Sequence, residues 1–122
     1  MAKTIMIVDD SASLRQVVSI ALKSAGYETV EACDGKDALN KLDGRKLHLI
    51  ISDVNMPNMD GITFLKNVKQ LPAYKFTPVI MLTTEAGEAK KEEGRAAGAK
   101  AWVVKPFQPA QMLTAVSKLI LP

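Results

Sequence analysis

Short apolar runs alternate with segments of helical periodicity along the whole chain. The runs have the length of β-strands and are mostly rich in β-branched residues; they cover residues 4–8, 27–31, 47–52, 78–82 and 101–104. Alternating strands and helices are typical of a parallel sheet covered by helices on both faces, with right-handed crossovers. The pattern therefore predicts a doubly wound α/β fold.

Helical spacing of apolar residues and suitable end residues define the segments between the runs. The predicted starts are Ser11 or Ser13 as N-cap of the first helix, Asp34 as N-cap of a second over residues 35–42, the Asp60-Gly61 turn for a third, and Gln108-Pro109 for the last. Gly26 suits the C′ position of the first helix. One face of the first helix should pack on the sheet through Leu14, Val17, Val18, Ala21, Leu22 and Ala25. The inward residues of the later helices are Ala38, Leu39, Leu42, Ile62, Leu65, Val68, Met112, Leu113, Val116, Leu119 and Ile120.

A fourth helix, over residues 86–97, has mainly alanines on its inward face. Gly94 lies within it, at a cost of about 1 kcal/mol relative to alanine. Two interpretations stay open. The helix is either a small solvated element or a segment held loosely enough to shift when a neighbouring site changes its charge.

Three carboxylates close two of the predicted strands. Asp9 and Asp10 end the first run, and Asp53 ends the third. Clustered carboxylates repel one another and resist desolvation, so a hard divalent cation such as Mg²⁺ is the expected counter-charge. Thr83 and Lys105 end the fourth and fifth runs. Together these residues offer a metal site, a hydroxyl donor and a fixed cation, a set suited to phosphoryl groups.

Length and charge limit the alternatives. A chain of 122 residues with 48% hydrophobic content suits one domain with an ordinary core. The net charge is +3, but the basic residues lie scattered on predicted helix faces, and the acidic cluster would repel a phosphate backbone. Nucleic acid is therefore not an expected partner.

Single cysteine and histidine residues exclude other site classes. Cys33 is the only cysteine, so zinc-binding cysteine pairs are absent, and we expect it to pack near the end of a strand. His48 has no nucleophile motif to serve and is expected to be a structural or surface residue. The first apolar run is too short for a signal peptide or a membrane span, which predicts a cytoplasmic protein without a membrane partner.

The ordered motifs resemble those of the receiver domains of two-component response regulators, most closely the single-domain CheY-type chemotaxis regulators. They are Asp9-Asp10, Asp53, Thr83 and Lys105-Pro106, each after its strand. Taken singly, each residue could be a helix cap, a turn residue or a surface cation. The resemblance covers essentially all of residues 1–122 and implies one receiver domain. It also implies a flavodoxin-like five-stranded sheet in the order 2-1-3-4-5, whose switch point lies between strands 1 and 3.

The resemblance implies a role for each site residue. Asp53 would accept a phosphoryl group, and Mg²⁺, which Mn²⁺ could replace, would be held by Asp9, Asp10, Asp53 and the backbone carbonyl of Asn55. Thr83 and Lys105 would contact the phosphoryl oxygens. The Lys105-Pro106 bond would be cis. Trp102 stands where the family has a switch aromatic, usually Tyr or Phe; its bulk puts the coupling between Thr83 and this aromatic in question, and a plain packing role stays open.

The implied partner is a CheA-like histidine kinase, with a flagellar motor switch protein or a phosphatase as a further partner of a monomeric regulator. Output would use the face formed by helix 4, strand 5 and helix 5. The alternative is a phosphate sink or a relay intermediate that does not act on the motor. Whether to count the chain as an enzyme stays open, because it would catalyse only its own phosphorylation and dephosphorylation. Flavodoxins, phosphatases with a DxD motif and P-loop NTPases fit the motifs less well.

Overall fold

A computed structural model describes residues 3–56, 58–83, 88–105 and 108–120. The strands are β1 (Thr4–Val8), β2 (Glu28–Ala32), β3 (Leu49–Asp53), β4 (Val79–Thr83) and β5 (Ala101–Val104). The helices are α1 (Ala12–Ser24), α2 (Gly35–Lys41), α3 (Gly61–Val68), α4 (Glu88–Ala97) and α5 (Pro109–Leu119). The strands form a parallel sheet in the order β2-β1-β3-β4-β5, which confirms the predicted fold.

The sheet separates two hydrophobic cores, because successive side chains of a strand point to opposite faces. On one face Ile5, Ile7 and Ile51 pack with residues of α1 and α5. On the other face Met6 and Ile50 pack with residues of α2 and α3. Both faces of the central strands are therefore buried, and the backbone at the carboxyl ends of these strands is held firmly.

Side chains at the helix starts act largely as the sequence predicts. Ser11, rather than Ser13, caps α1 by accepting a hydrogen bond from the Leu14 amide at 3.3 Å. Asp34 caps α2 and Asp60 caps α3, with amide-to-carboxylate distances of 2.7 and 2.8 Å. These caps satisfy amide groups that have no partner within the helix.

Several boundaries and burial predictions differ from the structure. β3 begins at Leu49 rather than at residue 47 and extends to Asp53, which pairs with Leu82 of β4. Val17 and Ala25 are exposed, so the buried stripe of α1 is narrower than predicted. Cys33 is also exposed; the prediction that it packs is wrong, because Ala32 takes the buried position at the end of the edge strand β2.

The structure confirms the predicted fourth helix as α4 (Glu88–Ala97), and residues 86 and 87 of the predicted range lie outside the described residues. His48 has the expected structural role, since its Nδ1 accepts a hydrogen bond from the Thr4 amide at 3.0 Å. Within the described part of the chain, no helix combines the length and the apolar character needed to cross a membrane.

Candidate functional site

The three aspartates meet at one edge of the sheet. β1 and β3 are neighbours and parallel, so the residues that follow them lie side by side. One carboxylate oxygen each from Asp9, Asp10 and Asp53 lies within 4.8 Å of the others. Asp9 and Asp53 are buried, whereas Asp10 is exposed. The predicted cluster is therefore formed by the fold itself.

Lys105 bridges the two buried carboxylates from the end of β5. Its Nζ lies 3.1 Å from Asp53 Oδ1 and 3.3 Å from Asp9 Oδ2. The lysine side chain is only 17% exposed, so these contacts are weakly screened by solvent. The predicted fixed cation is thus in contact with the predicted phosphoacceptor.

Asp53 is electrostatically strained despite this lysine. Burial raises the pKa of its carboxyl group above the ordinary 3.8, and the charges of Asp9 and Asp10 act in the same direction. Lys105 lowers the pKa but does not cancel these effects. A raised pKa means that the ionised cluster is destabilised until more positive charge arrives.

Gly61 contributes to the site in a way that the sequence did not reveal. A Cβ atom at this position would lie 2.0 Å from the backbone oxygen of Asp53. The Gly61 amide also donates to the Val54 carbonyl at 2.8 Å. Only glycine lets the start of α3 approach β3 this closely, and the Asp60-Gly61 pair was recognised from the sequence only as a turn.

Thr83 lies fully buried at the end of β4, beside the strand that carries Asp53. Its carbonyl accepts a hydrogen bond from the Lys105 amide at 2.7 Å, which ties together the ends of β4 and β5. Asn55 lies in the exposed turn after β3. Both residues are therefore near the strand ends where the sequence predicted them.

Trp102 lies on β5, where it pairs with Met81 in the strand register. Its ring packs against α4 at Gly94, where a Cβ would lie 2.5 Å from Trp102 Cζ3. The indole nitrogen is buried, and it has no hydrogen-bond partner among the described residues. The predicted cis peptide involves Pro106, which lies outside the described residues.

A cleft of about 370 Å³ lies beside Trp102 and is lined also by Lys91, Arg95 and Lys100. These three cations come from α4 and from the residue that precedes β5. The basic residues are thus less scattered than the sequence suggests. The cleft lies on the α4 and β5 side of the molecule and involves none of the three clustered aspartates.

The donor set fits a hard divalent cation. The candidate ligands are carboxylate oxygens, which Mg²⁺ prefers. Three carboxylates within 4.8 Å outnumber the ammonium group of Lys105. The raised pKa of Asp53 indicates the same shortage of positive charge.

Comparisons with known proteins agree with this geometry. The family described as "Response regulator receiver domain" matches residues 5–117, and the chain belongs to that family. It is 36% identical over 112 residues to Protein PilG of Pseudomonas aeruginosa, covering 92% of this chain and 83% of that protein. It is 39% identical over 107 residues to the chemotaxis protein CheY1 of Helicobacter pylori, covering 86% of each chain.

A solved structure of the chemotaxis protein CheY4 of Vibrio cholerae is similar throughout. It superposes with a TM-score of 0.93 and 48% identity, covering 98% of this chain and 99% of that one. The family resemblance, the strand order and the link to chemotaxis-type regulators of two-component signalling are thereby confirmed.

Proposed function

We propose that the chain is a phosphoacceptor response regulator in which Asp53 takes a phosphoryl group from a CheA-like histidine kinase. The observation that carries this proposal is the position of Asp53: it is buried, 3.1 Å from Lys105, and clustered with Asp9 and Asp10. Family membership supports the same function at the coarser level of a receiver domain.

In the reaction, a carboxylate oxygen of Asp53 attacks the phosphorus atom of the partner's phosphohistidine. The new P–O bond forms as the P–N bond breaks, and the imidazole leaves with the bonding electrons. Lys105 stabilises negative charge on the phosphoryl oxygens, and the hydroxyl of Thr83 donates to one of them. Water later hydrolyses the aspartyl phosphate, which returns Asp53 to its carboxylate form.

Asp9, Asp10, Asp53 and the backbone carbonyl of Asn55 would hold Mg²⁺, or Mn²⁺ in its place. When bound, the ion supplies the positive charge that lets an anionic nucleophile approach an anionic phosphoryl group. Asp9 already accepts a hydrogen bond from the Ser11 amide at 2.9 Å, so the protein orients this carboxylate in advance.

Output would use the face formed by α4, β5 and α5. The phosphoryl group brings up to about two negative charges, and Thr83 and Lys105 are the groups that respond to them. The bond between the Lys105 amide and the Thr83 carbonyl couples the two strand ends. Trp102 lies two residues before Val104, the register partner of Thr83, and would report or transmit the change. A flagellar motor switch protein or a phosphatase is the proposed partner of this face.

We propose that residues 1–122 form one receiver domain, which acts as a monomer in the cytoplasm. The family match over residues 5–117 supports the receiver domain, as do relatives named as chemotaxis proteins that align over 86% of their length. The kinase, the motor and the phosphatase are proposed as partners because the chain belongs to this protein class.

Phosphorylation of Asp53 can be measured directly by intact mass spectrometry after incubation with a small phosphodonor such as acetyl phosphate. We expect a phosphoryl adduct only with Mg²⁺ or Mn²⁺ present, and none in Asp53→Ala. Asp43→Ala is a matched control, because Asp43 is an exposed aspartate that pairs with Arg45 away from the cluster. Equal modification of Asp53→Ala and the wild type would refute the assignment.

The output face is examined with beryllofluoride, a phosphoryl mimic. We expect a change in Trp102 emission and in hydrogen exchange of α4 when the mimic binds, and a smaller change in Thr83→Ala that still binds it. A pull-down with cognate kinase and flagellar switch proteins distinguishes the two roles. Capture by the kinase without the switch protein would favour a phosphate sink or relay.

A further inference from the structure

Arg15 is a partly buried cation beside the aspartate cluster that has no part in the proposed reaction. It lies in the first turn of α1, where a positive charge is unfavourable because the helix dipole is positive at that end. Its side chain is only 18% exposed. A cation in this position needs a compensating interaction.

The compensating contacts lead directly to Asp9. Arg15 Nη1 donates to the backbone carbonyl of Asp9 at 2.5 Å. Side chains of a helix point back toward its N-terminus, so a residue in the first turn of α1 can reach the loop that precedes the helix. The contact is to the main chain and does not itself involve the carboxylate oxygens of Asp9.

Asp9 is consequently held at four points. The Asp9 amide donates a hydrogen bond to the Ala32 carbonyl at 3.1 Å, and the Asp9 carbonyl accepts one from the Arg15 guanidinium. Its carboxylate accepts from the Ser11 amide at 2.9 Å and from Lys105 at 3.3 Å. Two side chains are involved, those of Arg15 and Lys105, and only Arg15 contacts the backbone of Asp9. Together with the Ala32 carbonyl, it fixes the direction of that backbone.

Glu31 balances the charge of Arg15. Its Oε1 lies 3.4 Å from Arg15 Nε, and Glu31 belongs to the edge strand β2. An unbalanced arginine so close to the cluster would repel a divalent cation. The pair can therefore fix the backbone without adding net positive charge to the metal site.

From these contacts we infer that Arg15 is a positioning residue: it fixes the backbone of Asp9 for metal binding, while Glu31 neutralises its charge. This inference rests on the proposed function, since it assumes that the aspartate cluster binds Mg²⁺ or Mn²⁺. Groups that orient metal ligands from behind commonly change metal affinity by about tenfold or more when they are removed.

A double-mutant cycle separates positioning from charge. Arg15→Gln removes the bond and leaves Glu31 unbalanced, whereas Glu31→Gln keeps the bond and leaves Arg15 unbalanced. The double variant removes the bond with no change in net charge. If the pair acts only through charge, Arg15→Gln should tighten metal binding, Glu31→Gln should weaken it, and the double variant should match the wild type.

The measurement is Mn²⁺ binding to the purified variants, followed by the electron paramagnetic resonance signal of the free ion. We expect the dissociation constant of the double variant to rise about tenfold. Arg15→Gln should also bind more weakly than the wild type, because Glu31 is 43% exposed and its unbalanced charge is screened by solvent. The control is Arg45→Gln with Asp43→Asn, which removes an exposed ion pair remote from the cluster.

A double variant with wild-type affinity, or an Arg15→Gln variant that binds more tightly, would overturn the positioning role. Circular dichroism verifies that each variant is folded. If the double variant does not fold, Arg15→Gln still decides the question, because positioning predicts weaker Mn²⁺ binding and charge alone predicts tighter binding. A wild-type protein that binds no Mn²⁺ would instead overturn the proposed function, so the two failures are distinguishable.

Discussion

Replacement of Gly94 by alanine should not produce the stabilisation that helix propensity predicts. In an exposed helix interior, this change stabilises a protein by about 0.8–1 kcal/mol. In α4, however, the added Cβ would lie 2.5 Å from Cζ3 and 3.1 Å from Cε3 of Trp102. These distances are too short for carbon atoms, so either the indole ring or the helix must move.

The magnitude follows from two opposing contributions. Overpacking of a well-packed site costs about 1–3 kcal/mol, and the gain in helix propensity offsets about 1 kcal/mol of this. We therefore expect the free energy of unfolding of Gly94→Ala to fall by about 0–2 kcal/mol. The indole ring has room to move into the cleft beside Lys91 and Lys100, so we expect a small rather than a large loss of stability.

Urea unfolding gives the free energy, and Trp102 emission reports the ring, because Trp102 is the only tryptophan. The emission spectrum of Gly94→Ala should shift toward that of a more exposed indole. In a Trp102→Ala background the obstacle is gone, so the same glycine replacement should stabilise by the full amount of about 0.8–1 kcal/mol. The difference between the two backgrounds measures the coupling of the two residues.

If Gly94→Ala stabilised the wild-type protein by about 1 kcal/mol without changing the emission, Trp102 would not occupy the space above Gly94. Equal effects in both backgrounds would lead to the same conclusion. The indole ring of Trp102 would then have to lie in a different position from the one in the structure.

Two further predictions concern pH. Without metal, the Asp53→Asn variant should be more stable than the wild type near neutral pH, and the difference between their urea midpoints should shrink as pH falls. Burial and the charge of Asp9 raise the pKa of Asp53 in the folded state. The folded wild type therefore binds this proton more tightly than the unfolded chain does, and it gains stability as pH falls. A difference that grows on acidification would contradict this sign. Burial and the charges of Lys3 and Lys46 lower the pKa of His48 below 6.5, so stability should fall as pH drops through and below about 6.5. His48→Asn should remove that part of the slope, and equal slopes would refute the assignment.

Strand and helix identity could be predicted because local pattern and packing agree in this chain. The apolar runs that become β1, β3 and β4 are buried on both faces, so their composition alone marks them as central strands of a parallel sheet. Asp34 caps α2 as predicted, because its side chain acts within its own turn. Features that depend only on near neighbours were therefore visible in the sequence.

Boundaries and contacts that depend on distant residues were not visible. Leu47 is buried, yet it precedes β3, because the ladder with β1 begins at the pair Ile5 and Leu49. The sequence shows the cost of Gly94 but not the indole ring that requires it. Likewise, no spacing rule connects Arg15 with Glu31, which meet only when β2 pairs with β1.

The scaffold explains why the strained cluster persists. Buried apolar residues on both faces of the sheet fix the ends of β1 and β3, so Asp9 and Asp53 cannot separate to relieve their repulsion. Gly61 brings α3 against the backbone of Asp53 and closes off a further route of relaxation. The repulsion is then relieved by protons, by Lys105 or by an added cation rather than by movement of the backbone. Under the proposed function, charge that arrives at Asp53 would act on the ends of β4 and β5, where Thr83 and Lys105 are joined through the main chain.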